Sequence, residues 1–447
     1  MKKTSFPAIL LAAVLSCLLM CSCGPQDNKG PKIKRDDLRD TEALVFYTVS
    51  DYRSYSEEYS DLNSDEAIRA LEYSAPDSYV CVLTEAADGE VTIPARHEGK
   101  SVVCLTSRSF QMTEKVTSLT VPEGISYIIG VFSLRSISED GSAVASDEKR
   151  SFDGLTSVTL PAGAYIRYSF NDCPGLMKLT APVLNKTVKG SFNACGLETV
   201  DIKGGASVSD SFNDCARLKS FTLNNGMLFT GSLNNCQRLS KVSLPGLRKG
   251  HFMRSFNECT ALKSISLKYA DLIYDSFCSC TAMKNVDILL QNSTSGSTMD
   301  HSFNDCSAIS SVSINGGALS CYYSFNDSRS ITALSIEGSK AVFAFKDCTS
   351  IKDLTINNAF GLSDMFNSMP ELEDVKLAGI KGIVSGCFNS CGSLRTVYIE
   401  GDGTGDNELK IDRSFCKNSS LEKAEINCKA VHKTQSFTDC PKLSGTG

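Results

Sequence analysis

The chain repeats one pattern of apolar and polar positions over most of its length. Phenylalanine returns at steps of mostly 20 to 23 residues, and a leucine fills one gap in the series. The members of the series are Phe110, Phe132, Phe152, Phe170, Phe192, Phe212, Leu233, Phe256, Phe277, Phe303, Phe325, Phe345, Phe366, Phe388, Phe415 and Phe437. Apolar residues follow at six, nine and eleven positions, and the last two, such as Val312 and Ile314, have the period of a strand with one buried face. Each unit is therefore predicted to supply one short strand.

A second part of each unit, from a serine to the next apolar residue, has a different spacing. In residues 302–309 the phenylalanine, the cysteine and the isoleucine lie three apart, which is typical of one helical or 3₁₀ turn with the serine as its N-cap. One turn and one short strand bury too little apolar surface alone, so the units must stack. The sequence predicts a right-handed repeat solenoid with a parallel sheet, about 16 units and about 75 Å long.

The start of the repeats carries a further motif. Residues 89–94 read Gly-Glu-Val-Thr-Ile-Pro, residues 99–102 read Gly-Lys-Ser-Val, and Phe110 follows. Together with the repeated unit, found over residues 72 to 443, this motif resembles the BspA-like leucine-rich-repeat family of bacterial surface proteins. The resemblance implies a curved, leucine-rich-repeat-like solenoid, display at the cell surface and protein binding. It transfers no binding residue, because the shared motif forms the core.

The N-terminus reads as a secretory signal peptide, residues 1–22. Two lysines precede an apolar run over residues 6–20, which is too short for a comfortable membrane span. Ser22 directly before Cys23 suits cleavage by a lipoprotein signal peptidase, so Cys23 is the predicted lipidation site and membrane anchor. Met20 stands where such sites usually have leucine, which leaves ordinary secretion without a lipid as the alternative.

Composition divides the remaining chain into three parts. Residues 23–40 are rich in proline, glycine, lysine and aspartate and lack apolar periodicity, which predicts a flexible tether. Residues 41–71 contain a strand-like run and a short capped helix, which predict an N-terminal cap. Residues 72–447 form the predicted solenoid.

Ten of the twenty cysteines occupy one place in the unit, three residues after the phenylalanine or leucine. They are Cys173, Cys195, Cys215, Cys236, Cys259, Cys280, Cys306, Cys348, Cys391 and Cys440. In a stack these side chains form a ladder, which we interpret as free thiols packed like apolar residues. An occasional disulfide between rungs is the alternative, although their identical orientation does not favour the required dihedral angle. The other cysteines lack partners at metal spacing, so no zinc site is expected.

The sequence contains few residues in patterns that could support catalysis or bind a cofactor. The four histidines are scattered, and there is no phosphate-binding loop or dinucleotide fingerprint, so we expect neither enzyme activity nor a cofactor. The asparagine that follows most of the repeated phenylalanines could form a row of ligands. An amide at each turn can instead bond the backbone of the next coil, and we favour this structural role. A net charge of −6 gives no support to a nucleic-acid partner.

The outward side of the predicted sheet is the candidate binding surface. Its position between the two buried strand residues is small and polar, at Thr180, Thr222, Ser243, Ser266, Ser313, Ser335 and Thr355. Beside it the sequence places a basic row, Lys178, Lys219, Lys241, Lys263, Lys284 and Lys352. This row could meet an acidic protein or glycan. The alternative is a solvated face that stays charged to prevent association of sheets.

The predicted function is that of an exported, lipid-anchored module that binds another macromolecule, in the first place a protein, without catalysis. A glycan-binding module is the second hypothesis; the chain has no tryptophan, but Tyr322, Tyr323 and Tyr398 are candidate contacts. A purely structural envelope lipoprotein is the third. We expect the outer membrane as the location, with the surface exposure that the resemblance implies, and a periplasmic orientation as the alternative.

Overall fold

The computed structural model describes most of the chain from residue 42 onward. The described ranges are 42–52, 65–107, 115–133, 136–137, 143–144, 151–181, 183–290, 297–315, 319–320, 324–325, 327–337, 349–401, 409–428 and 431–445. The predicted signal peptide, the tether and Cys23 lie outside these residues and stay predictions. The same holds for Phe110, Phe345 and Cys348 of the repeat.

Short strands make up most of the regular secondary structure of the described residues. Helix α1 spans Asp65–Ser74, residues 49–52 are also helical, and no helix in the described ranges is long and apolar enough to cross a membrane. The first strands are β1 (Leu44–Thr48), β2 (Tyr79–Leu83), β3 (Gly89–Thr92), β4 (Arg96–His97), β5 (Lys100–Ser107), β6 (Val116–Thr120), β7 (Tyr127–Ile129), β8 (Ser136–Ile137), β9 (Ala143–Val144), β10 (Ser157–Thr159), β11 (Tyr165–Arg167), β12 (Lys178–Thr180), β13 (Thr187–Lys189), β14 (Thr199–Ile202), β15 (Ser207–Ser209) and β16 (Ser220–Leu223). The others are β17 (Leu228–Thr230), β18 (Lys241–Ser243), β19 (Gly250–Met253), β20 (Ser264–Tyr274), β21 (Asn285–Leu290), β22 (Ser297–Asp300), β23 (Ser311–Asn315), β24 (Leu319–Ser320), β25 (Ala333–Glu337), β26 (Asp353–Asn357), β27 (Phe360–Ser363), β28 (Asp374–Ser385), β29 (Thr396–Gly401), β30 (Leu409–Asp412), β31 (Lys423–Asn427) and β32 (Val431–Thr434).

Most strands belong to one of two parallel ladders. The first ladder contains β3, β6, β10 and β12, then β14, β16 and β18, then β20, β21, β23, β25, β26, β28, β29 and β31. The second contains β2, β5, β7, β11, β13, β15, β17, β19, β20, β22 and β24, then β27, β28, β30 and β32. The long strands β20 and β28 take part in both ladders. The predicted parallel solenoid is thus confirmed, but most coils supply two strands and not one.

From β11 to β17 the second strand of the coil has only three residues, which is too short to show a period in the sequence. In β13 only Val188 is buried, between Thr187 and Lys189, and β15 and β17 have the same pattern. Alternation needs at least two buried positions to be recognised. The sequence pattern therefore located the first ladder and missed the second.

In the described part of the chain, the turns around the repeated phenylalanines are not helical. Phe192 has a φ of 60° and Ala194 a φ of 54°, and this left-handed conformation interrupts a right-handed helix. The serine is therefore not an N-cap, as Ser191 Oγ donates to the carbonyl of Lys189 (2.8 Å) and accepts the N–H of Ser169 (3.1 Å). Hydroxyls that accept the preceding serine N–H in the same way belong to Ser211, Ser232, Ser255, Ser276, Ser302 and Ser324. The predicted helical turn is thus replaced by a serine ladder.

One apolar core runs along the stack and combines the buried residues of both ladders with the phenylalanine column. The ring centroids of Phe256 and Phe277 are 4.8 Å apart, as are those of Phe277 and Phe303, and the ring planes are nearly parallel. Leu233 takes one place in the column and is 0% exposed. This ring distance matches the spacing of neighbouring strands, about 4.8 Å, because each coil contributes one ring.

The N-terminal end of the second ladder has a different construction. Strand β1 pairs with β2 in the antiparallel direction, which ends the parallel series. Along β2, Cys81 and Leu83 join the main core, whereas Val80 and Val82 join a second cluster with Ile68 of α1. Helix α1 therefore covers the outer side of the first strands of this ladder. The domain limits 41–71 and 72–447 stay predictions.

Candidate binding face

The asparagine row is structural, as predicted from the sequence. Asn193 is 1% exposed, its Oδ1 accepts the N–H of Asn213 (2.8 Å), and its Nδ2 donates to the carbonyl of Asp210 (3.2 Å). Equivalent bonds to the next coil are made by Asn171, Asn213, Asn234, Asn257, Asn367 and Asn389. These amides are used by the backbone and do not form a row of ligands.

The cysteine column is a ladder of thiols, as predicted. The cysteines in the described part of the chain are free, and Cys215 and Cys259 are 0% exposed. Cys259 Sγ donates to the carbonyl of Leu233 in the preceding coil (3.0 Å). Burial raises the pKa of the Cys259 thiol to about 12 and that of Cys391 to about 11, so both stay protonated and unreactive at neutral pH.

The described residues contain few groups that could perform acid–base catalysis or bind a metal ion. They contain no group of three or more histidine, cysteine, aspartate or glutamate side chains that could hold a metal ion. His97 stacks on Phe46 with ring centroids 3.9 Å apart, and His251 Nε2 lies 3.7 Å from Asp271 Oδ2. Burial lowers the pKa of His251. Neither pair contains a serine, threonine or cysteine that the histidine could activate.

The outward side chains of the first ladder form a flat polar surface, which we call face A. Ser313 lies beside Ser335 and Ser335 beside Thr355 in the strand register. Ser266 Oγ donates to Asp287 Oδ2 (3.1 Å) in the neighbouring strand of the same column. The predicted outward column is therefore confirmed over these coils, and Asp287 adds an acidic group that the sequence interpretation left out.

The six lysines of the predicted basic row are all exposed, but they occupy two registers. Lys178 and Lys241 take the first outward position of β12 and β18, where Lys241 lies beside Ser220 of β16. The others precede the strand by one residue, at Lys219, Lys263, Lys284 and Lys352. In that second column the N–H of Lys284 donates to the carbonyl of Lys263 (2.7 Å). The arrangement is a staggered double row.

Acidic residues partly neutralise the row. Lys219 Nζ lies 2.7 Å from Glu198 Oε2, and Lys352 Nζ lies 3.9 Å from Glu373 Oε1. Within the described residues, no salt bridge involves the three lysines between them, Lys241, Lys263 and Lys284, which we call the basic centre. Exposed ion pairs add little stability, but they reduce the local positive charge. The basic centre is therefore where positive charge is most available on face A.

One of the three tyrosines considered for a glycan site lies within the described residues. Tyr398 is on face A, with Lys376 Nζ 5.9 Å from its ring centroid, and its hydroxyl accepts a bond from Asn427 Nδ2 (3.3 Å). Tyr322 and Tyr323 lie outside the described residues.

Sequence reasoning missed the outward surface of the second ladder, which we call face B. The rings of Tyr127 and Tyr165 are stacked there, 5.2 Å apart and 14° from parallel. Lys186 Nζ lies 5.3 Å from the Tyr165 ring centroid, and Lys189 Nζ lies 5.8 Å from that of Tyr168. The alternation Tyr-Ile-Arg in β11 was the available signal, but three residues are too few to identify a strand.

Several solved structures are similar to the chain. A leucine-rich repeat protein from Bacteroides ovatus has 17% identity and a TM-score of 0.40, with 72% of this chain and 90% of that one covered. A leucine rich cell surface protein from Faecalibacterium prausnitzii has 15% identity and a TM-score of 0.33, with 74% and 92% covered. The T. pallidum leucine rich repeat protein has 23% identity and a TM-score of 0.28, with 41% and 83% covered.

A match between the sequence and a known repeat family identifies the family of the chain. No curated protein matches the chain. The BspA type leucine rich repeat region matches it in six copies, over residues 149–249, 231–342 and 321–444, which is more than half of its length. The chain therefore belongs to the BspA-type leucine-rich-repeat family.

Proposed function

We propose that the protein is a lipid-anchored, non-catalytic module of the cell surface that binds another protein through face A. The family and the solenoid support a binding module, because stacked repeats present extended surfaces on which one partner can contact many coils. The signal peptide predicted over residues 1–22 and the predicted lipid on Cys23 support export and attachment to the outer membrane.

The observation that carries the proposal is the basic centre. Lys241, Lys263 and Lys284 are exposed on three successive coils, and no salt bridge in the described part of the chain neutralises them. The column beside them contains the short side chains of Ser243, Ser266 and the acidic Asp287, so a partner can approach the strands closely. Positive charge on such a surface accelerates the encounter with an acidic partner and selects against basic ones.

Reversing the charge of the basic centre is expected to weaken capture of the protein partner at least tenfold, mainly through slower association. The variant is Lys241→Glu, Lys263→Glu and Lys284→Glu, and affinity is measured by surface binding of the partner recovered from a pull-down. A matched control reverses three exposed lysines that lie outside face A, Lys410, Lys417 and Lys442, with the same change in net charge. Equal affinity of the two variants would contradict a role for face A.

The attachment of the protein to the membrane and the exposure of the solenoid at the cell surface are tested on intact cells of the source organism. We expect added protease to digest the solenoid without lysis of the cells, and Cys23→Ala to release the protein from the membrane fraction. A Cys21→Ala variant is the control, since Cys21 precedes the predicted cleavage position and is expected to leave the anchor intact. Full protection from protease with no captured partner would favour a structural role in the periplasm.

A further inference from the structure

Charged side chains on face A follow an order that reverses about strand β25. In the middle column of the sheet the register joins, in this order, Asp287, Ser313, Ser335, Thr355 and Lys376. Ser335 of β25 is the centre of this column, and Asp287 and Lys376 each lie two coils away from it. The column therefore carries opposite charges at equal distances on the two sides of β25.

Two other columns of face A show the same reversal. Lys284 and Glu373 each precede their strand by one residue, on β21 and β28, and lie two coils from β25. Lys268 of β20 and Glu400 of β29 share another column and lie three coils from β25. Three pairs of opposite charges are thus placed symmetrically about β25.

The strands between these charges present short side chains to the solvent. Ser313, Ser335 and Thr355 are the residues of β23, β25 and β26 in the middle column. Leu289 of β21 is large and apolar but 44% exposed, and the position at the same distance on the other side of β25 is Ala378. A second flat sheet can therefore approach this part of face A closely and cover Leu289.

The charged residues nearest to β25 have only weak contacts within the chain. Glu373 Oε1 lies 3.9 Å from Lys352 Nζ, and Lys376 Nζ lies 5.9 Å from the ring centroid of Tyr398. Asp287 accepts one hydroxyl hydrogen bond, of 3.1 Å, and a carboxylate can accept several. Exposed ion pairs contribute little energy, so these side chains remain available to a partner.

We propose that face A binds face A of a second copy of this chain, about a two-fold axis that runs along β25. The inference rests on the proposed function of face A and identifies its acidic partner as the chain itself. An axis parallel to the strands reverses the order of the coils, so β21 of one copy faces β28 of the other. Lys284 then meets Glu373 of the partner subunit, Asp287 meets Lys376 of the partner subunit, and symmetry forms each pair twice.

The direction of the axis follows from the charges. A two-fold axis along the stack would place each coil opposite the same coil of the second copy, so the basic centre would face itself. Sheets that pack face to face lie about 10 Å apart and are rotated by up to about 30°, so opposite positions match best near the axis. Among the side chains described within three coils of β25, the like-charged pair is Lys263 and Arg395, and it lies at the outer limit of this range.

The size of the interface predicts a reversible dimer. The seven strands of the first ladder from β20 to β29 span about 29 Å at about 4.8 Å per step, and the outward columns cover about 17 Å along each strand. The resulting flat area of about 500 Å² on each copy is smaller than the standard of about 800 Å². We therefore expect dimers at micromolar concentrations or above, and attachment to a surface raises the effective concentration.

The symmetry also separates the two N-termini. Strand β3 begins the first ladder, ten coils before β25. Rotation about β25 therefore places the two β3 strands at opposite ends of the dimer, about 100 Å apart along the stack at about 4.8 Å per coil. Copies anchored by the lipid predicted on Cys23 would thus meet most readily from two facing membranes.

Sedimentation of the full chain and of two single variants tests the dimer. Lys284→Glu alone and Glu373→Lys alone are each expected to dimerise at least tenfold more weakly, because like charges then face each other at both symmetric contacts. A mixture of the two variants, one of them carrying a fluorescent label, is expected to dimerise as tightly as the natural chain, because both contacts of the mixed dimer join opposite charges. Variants that stay monomeric after mixing, or a natural chain that is monomeric at about 0.5 mM, would overturn the proposal.

Matched controls separate this inference from the proposed function. Lys417→Glu and Glu258→Lys reverse exposed charges outside face A and are expected to leave dimerisation unchanged. The double variant Lys284→Glu, Glu373→Lys is expected to dimerise again, whereas binding of an unrelated acidic protein to Lys284 would not be restored by Glu373→Lys. A chain that never dimerises but captures such a protein through the basic centre would overturn this inference and leave the proposed function in place.

Beads that carry the chain by its N-terminus test the orientation of the two copies. Beads with Lys284→Glu are expected to aggregate with beads that carry Glu373→Lys, and beads of one kind are expected to stay dispersed. If the mixed variants dimerise in solution but the mixed beads stay dispersed, the arrangement with N-termini at opposite ends is wrong.

Discussion

Replacing Phe303 by alanine is expected to lower the free energy of unfolding by about 3–5 kcal/mol. Phe303 is 0% exposed, and its ring lies 4.8 Å from that of Phe277 and 4.9 Å from that of Phe325. Alanine would remove both ring contacts and leave a cavity that strands on either side cannot close without breaking their register. Because each coil contacts only its neighbours, the loss should also loosen the adjacent coils.

The measurement is denaturant unfolding followed by circular dichroism. Phe303→Leu is the matched control, because Leu233 fills the same column elsewhere with no exposure. We expect leucine to cost about 1 kcal/mol, since it retains most of the apolar volume. An unchanged unfolding curve for Phe303→Ala would show that the phenylalanine column is not the core of the stack.

The features that the sequence predicted well are those that recur in most coils. The phenylalanine, the asparagine and the cysteine each repeat at a fixed offset, so their stacking follows from the repeat alone. The backbone of the turn does not follow in this way, because Phe192 adopts a left-handed conformation that bulky residues rarely take. A local signal was present just before the serines, where Gly190 and Asp210 are residue types that tolerate this conformation.

For the candidate binding residues, the repeat predicted which lysines are exposed but not the column of the sheet in which each one lies. Lys219 follows its buried leucine by one residue, whereas Lys241 follows Leu239 by two, and this offset separates the two columns of the double row. The two offsets can be read from the sequence. They could not be assigned to separate columns, because the sequence does not define the residue at which each strand begins. The aromatic and basic side chains of face B could not be found for another reason, since β11 and β13 each contain a single buried residue.

The second large effect is expected at the asparagine row, where Asn193→Ala should lower the free energy of unfolding by about 2–6 kcal/mol. Asn193 Oδ1 is the acceptor for the N–H of Asn213, and its Nδ2 is a donor to the carbonyl of Asp210. Alanine would leave both backbone groups without this partner in a region where Asn193 itself is 1% exposed, and each such group costs about 1–3 kcal/mol.

The chain provides its own control for this variant. Cys278 and Cys416 stand at the asparagine position in two coils, and their Sγ atoms donate to the carbonyls of His301 (3.3 Å) and Gln435 (3.2 Å). Cysteine thus replaces the donor of the amide but is a poor acceptor. We expect Asn193→Cys to lose about half as much stability as Asn193→Ala in the same denaturant assay. If alanine and cysteine were equally harmful, the donated bond would contribute nothing, and if neither were harmful, water would satisfy the backbone at this position.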